Sequence, residues 1–280
     1  MLEEQLVQRV GTLVGTLLDE GREAMAKRVK GEPTELQARC ERCYDAALRG
    51  LESRYTLAEI SLAVLGGDER GDLVELTRRI MPDPPTGPIR GAVLAEAYVS
   101  AFLFGAWSTL ETATFGANAV GCLVDEARFY SLMTNDVSHV DPRSVLPGKR
   151  GRHAAFLAVL PEFTRTLTSE KELVVELFEQ HSASKHRYST MSGWATATSG
   201  STPQEKLEVR APTDFFLRED PRDLDRRAVL NKRLDAPLPA QAKAFSEPSV
   251  ALAPIVNRWR QLVPLMLSAL LADVRRLGDG

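Results

Sequence analysis

The stretch "GAVLAEAYVSAFLFGAWSTL", residues 91–110, decides the fold, because it is long and apolar enough to cross a bilayer or to form the centre of a helical bundle. Glu96 lies inside it, and a carboxylate in hydrocarbon is costly. The stretch is also built from Ala, Gly and Ser more than from Leu and Ile. We therefore predict a central helix of a bundle that packs closely through its small residues and does not meet a membrane.

Apolar residues recur at helical spacing over most of the chain on both sides of this stretch. The pattern predicts a mainly α fold, a multi-helix bundle. Thr34 in "GEPT" is the expected N-cap of the second helix, and "PDPPTGP", residues 82–88, is a stiff linker. The nine predicted helices cover residues 2–30, 34–54, 57–66, 70–80, 89–114, 117–133, 152–167, 169–183 and 249–277.

Residues 187–211 depart from this pattern. "RYSTMSGWATAT" alternates so that Tyr188 and Trp194 share one face, "KLEVRA" forms a second short run, and "SGSTPQ" between them is turn chemistry. We predict one β-hairpin inserted near 187–211, anchored by these two aromatic residues because an isolated hairpin is marginal.

The length of 280 residues is enough for one large core. We predict a single helical domain over 1–280, with the 82–88 linker as the one point of subdivision, between N-terminal helices over 1–81 and a helical core with the hairpin over 89–280. The short N-terminal helices need the apolar face of the helix at 89–114 to bury against, which argues against two independent cores.

Three cysteines form no regular framework, and the N-terminus lacks the basic region and cleavage site of a signal peptide. We expect a cytoplasmic protein. "CERC", residues 40–43, is a lone pair without the second half of a zinc site, so both cysteines are expected to be small core residues. The four histidines lack metal-ligand spacing and form no ExxH pair, so we expect no metal; no phosphate loop, dinucleotide fingerprint or nucleophile elbow occurs, and we expect no cofactor.

Two basic clusters carry the candidate sites. The first is "PGKRGRH", residues 147–153, in which Lys149, Arg150, Arg152 and His153 have no acidic neighbour and precede a predicted helix. Cationic side chains with unpaired backbone donors suit a phosphate, so these four are the candidate nucleic-acid or phosphate ligands. The alternative is a solvated loop.

The second cluster lies in "FEQHSASKHRYSTMSGW", residues 178–194, where a helix gives way to the hairpin. His186, between Lys185 and Arg187 and near several hydroxyls, is the best candidate in the chain for proton transfer beside an anion, and the three are the candidate catalytic residues. The alternative is structural, because cations at a helix C-terminus are favoured by the helix dipole and bond its last carbonyl groups.

The order of a small-residue helix ending in "WSTLETATFGAN", further helices, and a helix running into "SASKHRYSTMSG" and a hairpin resembles that of bacterial helical proteins related to the HEPN group, over roughly residues 89–210. The resemblance implies a helical bundle, often dimeric, in toxin–antitoxin or phage-defence systems, where many members are ribonucleases. Their hallmark, an Arg followed after four to six residues by His, does not occur at any of the four histidines here. No ribonuclease residues are therefore carried over.

Two functions follow as hypotheses. One is a HEPN-like protein of bacterial defence or stress response that binds or acts on RNA through the two basic clusters. The other is a non-catalytic interaction module whose long helices form a homodimer or hold a partner chain, since each common catalytic signature is missing.

The variant His186→Asn separates capping from chemistry. As a cap, His186 contributes one dipole or carbonyl contact, so the variant should lose about 0.5–1 kcal/mol of stability and should lose activity only as far as it unfolds. If His186 is instead an acid, a base or a phosphate ligand, the variant should keep the melting temperature of the wild type and lose function. Thermal unfolding and a growth-arrest or phage-resistance assay on the same variant decide, and a normal phenotype in a stable variant ends the catalytic hypothesis.

Overall fold

The computed structural model describes residues 2–28, 32–66, 87–148, 151–186, 192–198, 203–209 and 252–279. Within them the chain is mainly helical, which confirms the predicted class. The helices are α1 (Leu2–Arg28), α2 (Glu35–Gly66), α3 (Gly87–Asp125), α4 (Pro142–Val145), α5 (His153–Val159), α6 (Pro161–Ser169), α7 (Lys171–His186) and α8 (Leu252–Asp279). Short 3₁₀ turns cover Glu126–Arg128 and Asn135–His139.

Two predicted breaks between helices are absent. The ranges 34–54 and 57–66 form the single helix α2, because neither Gly nor Pro lies between them and Tyr55 and Ala58 continue the buried stripe. The ranges 89–114 and 117–133 likewise join in α3, which passes through Gly116 and ends at Asp125, so the helix predicted over 126–133 is wrong. The predicted helix at 70–80 lies outside the described residues.

The helix predicted over 152–167 is wrong as a single element, because it is two helices separated at Leu160. Leu160 has φ −126° and ψ 63°, and Pro161, which lacks an N–H, opens α6. Helix α8 supplies partners for both ends of this break. The buried carboxylate of Asp273 accepts a hydrogen bond from the Phe163 N–H at 2.9 Å, and Arg276 donates to the Val159 carbonyl at 2.6 Å.

The N-terminus of α2 is closed as the sequence predicts. The Gln37 N–H donates to Thr34 Oγ1 at 3.3 Å, and the Thr34 N–H donates to Gln37 Oε1 at 2.7 Å. This reciprocal pair is a capping box, which satisfies two backbone donors that the helix itself leaves unpaired.

Helix α3 packs against α2 through a glycine. A Cβ atom on Gly105 would lie 2.9 Å from both the Ala58 nitrogen and the Arg54 carbonyl oxygen, so the two backbones approach more closely than any larger residue allows. The buried hydroxyl of Thr109 is satisfied inside the helix, donating to the Gly105 carbonyl at 2.7 Å. The prediction of close packing through small residues is confirmed. None of the helices in the described ranges is long and apolar enough to cross a membrane.

The chain groups into two compact units, each built from separate stretches of sequence. The first comprises Met1–Glu59, Gly105–Glu176 and Asn257–Gly280, and the second comprises Ile60–Phe104 and Leu177–Val256. In the first unit Tyr55 stacks on Trp259 at 4.8 Å, beside an ion pair at 2.6 Å between the buried Glu59 and the half-buried Arg260. Residues 82–86 of the predicted linker lie outside the described ranges, so the subdivision there stays a prediction.

Two strands are present in the second unit, β1 (Ser192–Thr198) and β2 (Pro203–Val209). They pair antiparallel, with Trp194 opposite Leu207. Tyr188 lies outside the described residues, and the anchoring of this pair on the helices stays a prediction.

The contact at Gly105 predicts opposite effects for two glycine-to-alanine changes. Gly105→Ala should destabilise the protein by about 1–3 kcal/mol, because the new methyl group meets backbone atoms that cannot move aside. Gly15→Ala is the matched control: nothing lies within 4 Å of the position that its Cβ would take, so it should stabilise α1 by about 0.5–1 kcal/mol. Urea unfolding measures both, and equal effects would contradict the close approach.

Asp273 predicts a pH dependence. Burial raises the pKa of its carboxyl above the ordinary value of 3.8, although the backbone donors of Phe163 and Glu162 and the charge of Arg276 act in the opposite direction. The folded protein therefore binds this proton more tightly than the unfolded chain does. The linked stability is present below the unfolded pKa and is lost as the pH rises through the folded pKa.

The expected result is that the stability of the wild type, minus that of Asp273→Asn, falls as the pH rises from about 3 to 7. The amide does not titrate, and all other carboxyl groups are common to both proteins, so the difference isolates this group. Urea unfolding across the pH range measures it. A difference that stays constant or rises would show that the pKa is not raised.

Candidate functional site

The segment between α3 and α5, in the first unit, lines an open cleft of about 510 Å³. We call it the Tyr130 cleft. Its lining residues are Tyr130, His139, Asp141, Arg143, Ser144 and Gly151. A volume of this size lies within the range of small-ligand sites, and its lining is polar and aromatic.

One wall of the cleft is the turn at α4. Asp141 caps this short helix, because its carboxylate accepts from the Arg143 N–H at 2.7 Å, and Pro142 occupies the first helical position. The same carboxylate receives the Arg143 guanidinium in a forked pair, with Nη2 at 2.5 Å. Ser144 donates its hydroxyl to the Asp141 carbonyl at 2.6 Å. The turn is therefore fixed by its own side chains.

The loop returns to this turn at its far end. The Arg152 N–H donates to the Ser144 carbonyl at 2.7 Å, and a Cβ on Gly151 would lie 2.9 Å from the carbonyl oxygens of Ser144 and Leu146. Only glycine fits this approach. The Nδ1–H of His153 donates to the Val145 carbonyl at 2.8 Å, since a carbonyl can only accept, and a neutral His153 ring therefore carries its proton on Nδ1.

Tyr130 also lines the cleft, and its backbone is held by α3. The buried carboxamide of Asn118 donates to the Tyr130 carbonyl at 2.9 Å and accepts from the Tyr130 N–H at 3.1 Å. The Cys122 thiol donates to the same carbonyl at 3.1 Å. Burial raises the pKa of Cys122 to about 12, so the thiol keeps the proton that it donates.

Next to this anchor, Phe129 fills the space left by a glycine of α3. A Cβ on Gly121 would lie 2.2 Å from the Phe129 ring, and this ring meets Phe156 of α5 edge to face at 4.9 Å. The packing of these two rings connects the cleft to the hydrophobic core of the first unit.

The guanidinium of Arg152 lies over the Tyr130 ring, with Cζ 5.1 Å from the ring centre. This is a cation–π arrangement, and Arg152 is otherwise exposed to solvent. Burial raises the pKa of the Tyr130 phenol, although the charge of Arg152 lowers it, so the phenol stays neutral at physiological pH. The cleft therefore has one cation, Arg143, engaged by Asp141 and a second, Arg152, resting on an aromatic face.

The structure places two of the four predicted phosphate ligands near the cleft. Arg152 lies at its edge through Tyr130, and His153 follows it but donates its Nδ1–H to the Val145 carbonyl, which gives this residue a structural role. Lys149 and Arg150 lie outside the described residues, directly before Gly151 in sequence. Helix α5, which these residues precede, has seven residues and provides no argument for a phosphate at its N-terminus.

The predicted catalytic residues Lys185 and His186 belong to the second unit, whereas the Tyr130 cleft belongs to the first. Lys185 and His186 are the last two residues of α7, which ends three residues beyond the predicted end at 183, and Arg187 lies outside the described residues. Capping and catalysis by these residues both stay predictions.

Sequence reasoning missed the residues that build the cleft, namely Tyr130, His139, Asp141, Arg143 and Asn118. The predicted helix over 117–133 covers Tyr130, and no element is predicted over 134–151, although "VDPRS" carries the Asp-Pro signal of a capped turn. The Asn118 anchor has no local signal, because its partner Tyr130 is twelve residues away.

Cys40 is fully buried, as expected for a core residue of α2. Cys43 is only half-buried. Burial raises the pKa of Cys40 to about 12. In the part of the chain that the structure describes, no three His, Cys, Asp or Glu side chains come together to hold a metal ion.

The Asn118 anchor predicts a loss of stability that a solvent-exposed asparagine does not share. Asn118→Ala should cost about 1–3 kcal/mol, because the buried backbone N–H and C=O of Tyr130 lose their partner. Asn135→Ala, on the exposed 3₁₀ turn, should change stability by less than about 0.5 kcal/mol. Chemical unfolding compares the two, and a silent Asn118→Ala would contradict the anchoring role of this residue.

No family model matches the chain, and no match to it was found among the curated proteins or among the solved structures. The function is therefore inferred from the residues of the chain itself. The resemblance to HEPN proteins stays a prediction.

Proposed function

We propose that this chain is a HEPN-like helical protein of bacterial defence or stress response that binds or acts on RNA, with the Tyr130 cleft as its RNA-binding site. The bacterial setting and the RNA follow from the resemblance over residues 89–210. The place follows from the geometry of the cleft.

One observation carries the proposal: the exposed Arg152 lies over Tyr130 at the edge of a cleft of about 510 Å³ that Arg143 and His139 also line. Arginine, histidine and tyrosine side chains are the common partners of RNA phosphates and bases. Lys149 and Arg150, next to Gly151 in sequence, add two cations to the same loop and no acid. The net charge of −3 makes such a local cluster the main electrostatic attraction for RNA.

Catalysis, if the protein acts on RNA, falls in this proposal to Lys185, His186 and Arg187. Lys185 and His186 are the last two residues of α7, where cations are favoured by the helix dipole, and Arg187 follows them in sequence. The absence of the Arg-to-His hallmark of ribonucleases separates this arrangement from that of the HEPN enzymes.

The hairpin is part of the proposal. We propose that residues 187–211 form an inserted element that packs through Tyr188 and Trp194 on the helices. The pairing of β1 with β2 supports it, because a two-stranded pair is marginal without a surface to pack on.

The alternative, an interaction module that forms a homodimer or holds a partner chain, stays a prediction. Several large apolar side chains are exposed in the described ranges, but single exposed apolar residues are normal on a monomer and select no partner. They are Leu57, Ile60, Phe104, Met133, Leu157 and Leu265.

Fluorescence anisotropy with labelled transfer RNA tests the proposal. Arg152→Glu should weaken binding about tenfold or more, and it should lower the slope of log affinity against log salt concentration by about one per lost phosphate contact. Arg165→Glu is the matched control, because Arg165 is an exposed arginine of α6 that pairs locally with Glu162. Both variants change the net charge equally.

A loss confined to Arg152→Glu supports the cleft as the RNA site. Equal losses in the two variants would show that only the overall charge matters and would remove the cleft from the proposal. Absence of RNA binding by the wild type at low salt would remove the RNA function itself.

A further inference from the structure

The pairing of Arg152 with Tyr130 has a geometry that a simple cationic loop does not need. A guanidinium is planar, and the Cζ atom of Arg152 lies 5.1 Å from the centre of the Tyr130 ring. Arg152 is exposed, whereas Tyr130 is largely buried beneath it. The arginine plane, and not the tyrosine ring, is therefore the flat surface offered to a ligand.

The backbones of both residues are held in place before any ligand arrives. The Arg152 N–H is bonded to the Ser144 carbonyl, and the Tyr130 backbone is bonded on both sides to the Asn118 carboxamide. A ligand that stacks on this plane therefore has a side chain to order but no backbone. Arginine planes and aromatic rings are the surfaces on which unpaired RNA bases stack.

The turn at α4 limits what the rest of the ligand can be. The forked pair with Asp141 offsets the charge of Arg143, so a phosphate beside it meets a nearly balanced surface. Phosphate attraction alone would give a weak site. A volume of about 510 Å³ suits a single nucleotide, and a duplex keeps its base faces stacked internally and presents none to Arg152.

We propose that the Tyr130 cleft takes one unpaired nucleotide of single-stranded RNA, whose base stacks on the Arg152 guanidinium. This rests on the proposed RNA-binding function and adds to it the class of RNA: single-stranded and read through a base face. Duplex RNA is not a ligand of this site.

The test uses three labelled probes in fluorescence anisotropy with the full chain: a 12-nucleotide oligoadenylate, an abasic ribose-phosphate oligomer of the same length, and a 12-base-pair RNA duplex. The wild type should bind the oligoadenylate roughly tenfold more tightly than the abasic oligomer of equal charge, because only the former can stack. It should bind the duplex no more tightly than the abasic oligomer.

Arg152→Lys separates stacking from charge, because lysine keeps the positive charge and lacks the plane. This variant should lose the preference for oligoadenylate and keep the affinity for the abasic oligomer, which also reports that the variant is folded. Arg165→Lys is the control and should behave as the wild type.

Oligoadenylate binding by Arg152→Lys equal to that of the wild type would overturn the stacking inference and leave RNA binding intact. Equal wild-type affinity for oligoadenylate and the abasic oligomer, or tighter binding of the duplex, would do the same. If the wild type binds none of the probes, the proposed function fails and the inference falls with it.

Discussion

The close approach of α2 and α3 at Gly105 is the constraint on which the first unit depends. A side chain there would meet the backbone of Arg54 and Ala58 at 2.9 Å, so α3 holds its place only through a glycine. Helix α3 then positions the next elements through its C-terminal half. Gly121 admits the Phe129 ring, and Asn118 binds both backbone groups of Tyr130. The cleft is thus connected to the helix packing by one rigid element.

Helix α8 supplies hydrogen-bond partners to the backbone at the Leu160 break, as α3 does to the backbone of the cleft. Pro161 ends the preceding helix and leaves backbone groups at both ends of the break without partners within their own helices. Asp273 accepts from one end and Arg276 donates to the other. Burying a carboxylate is unfavourable unless it is well hydrogen-bonded, and these bonds offset part of that unfavourable term.

The Tyr130 cleft combines rigid backbone with an exposed cation. Gly151 packs against the turn at α4, and Arg152 and His153 donate hydrogen bonds to it, so the backbone of these residues is fixed by its own contacts. His153, which reads as a ligand in the sequence, is a structural residue of this loop. Arg152 remains the side chain whose exposure and neighbour suit recognition.

The sequence by itself determined the helical class, the Thr34 capping box, the small-residue contact of the central helix and the burial of Cys40, because periodicity, capping and residue size are local properties. It also pointed to the basic loop at 147–153. The tertiary structure alone decided where α3 ends, which side chains surround Tyr130 and which side chains satisfy the backbone at the Leu160 break. Those outcomes depend on Asn118, Asp273 and Arg276, whose partners lie 12 to 117 residues away in sequence, and no local pattern encodes a contact of that separation.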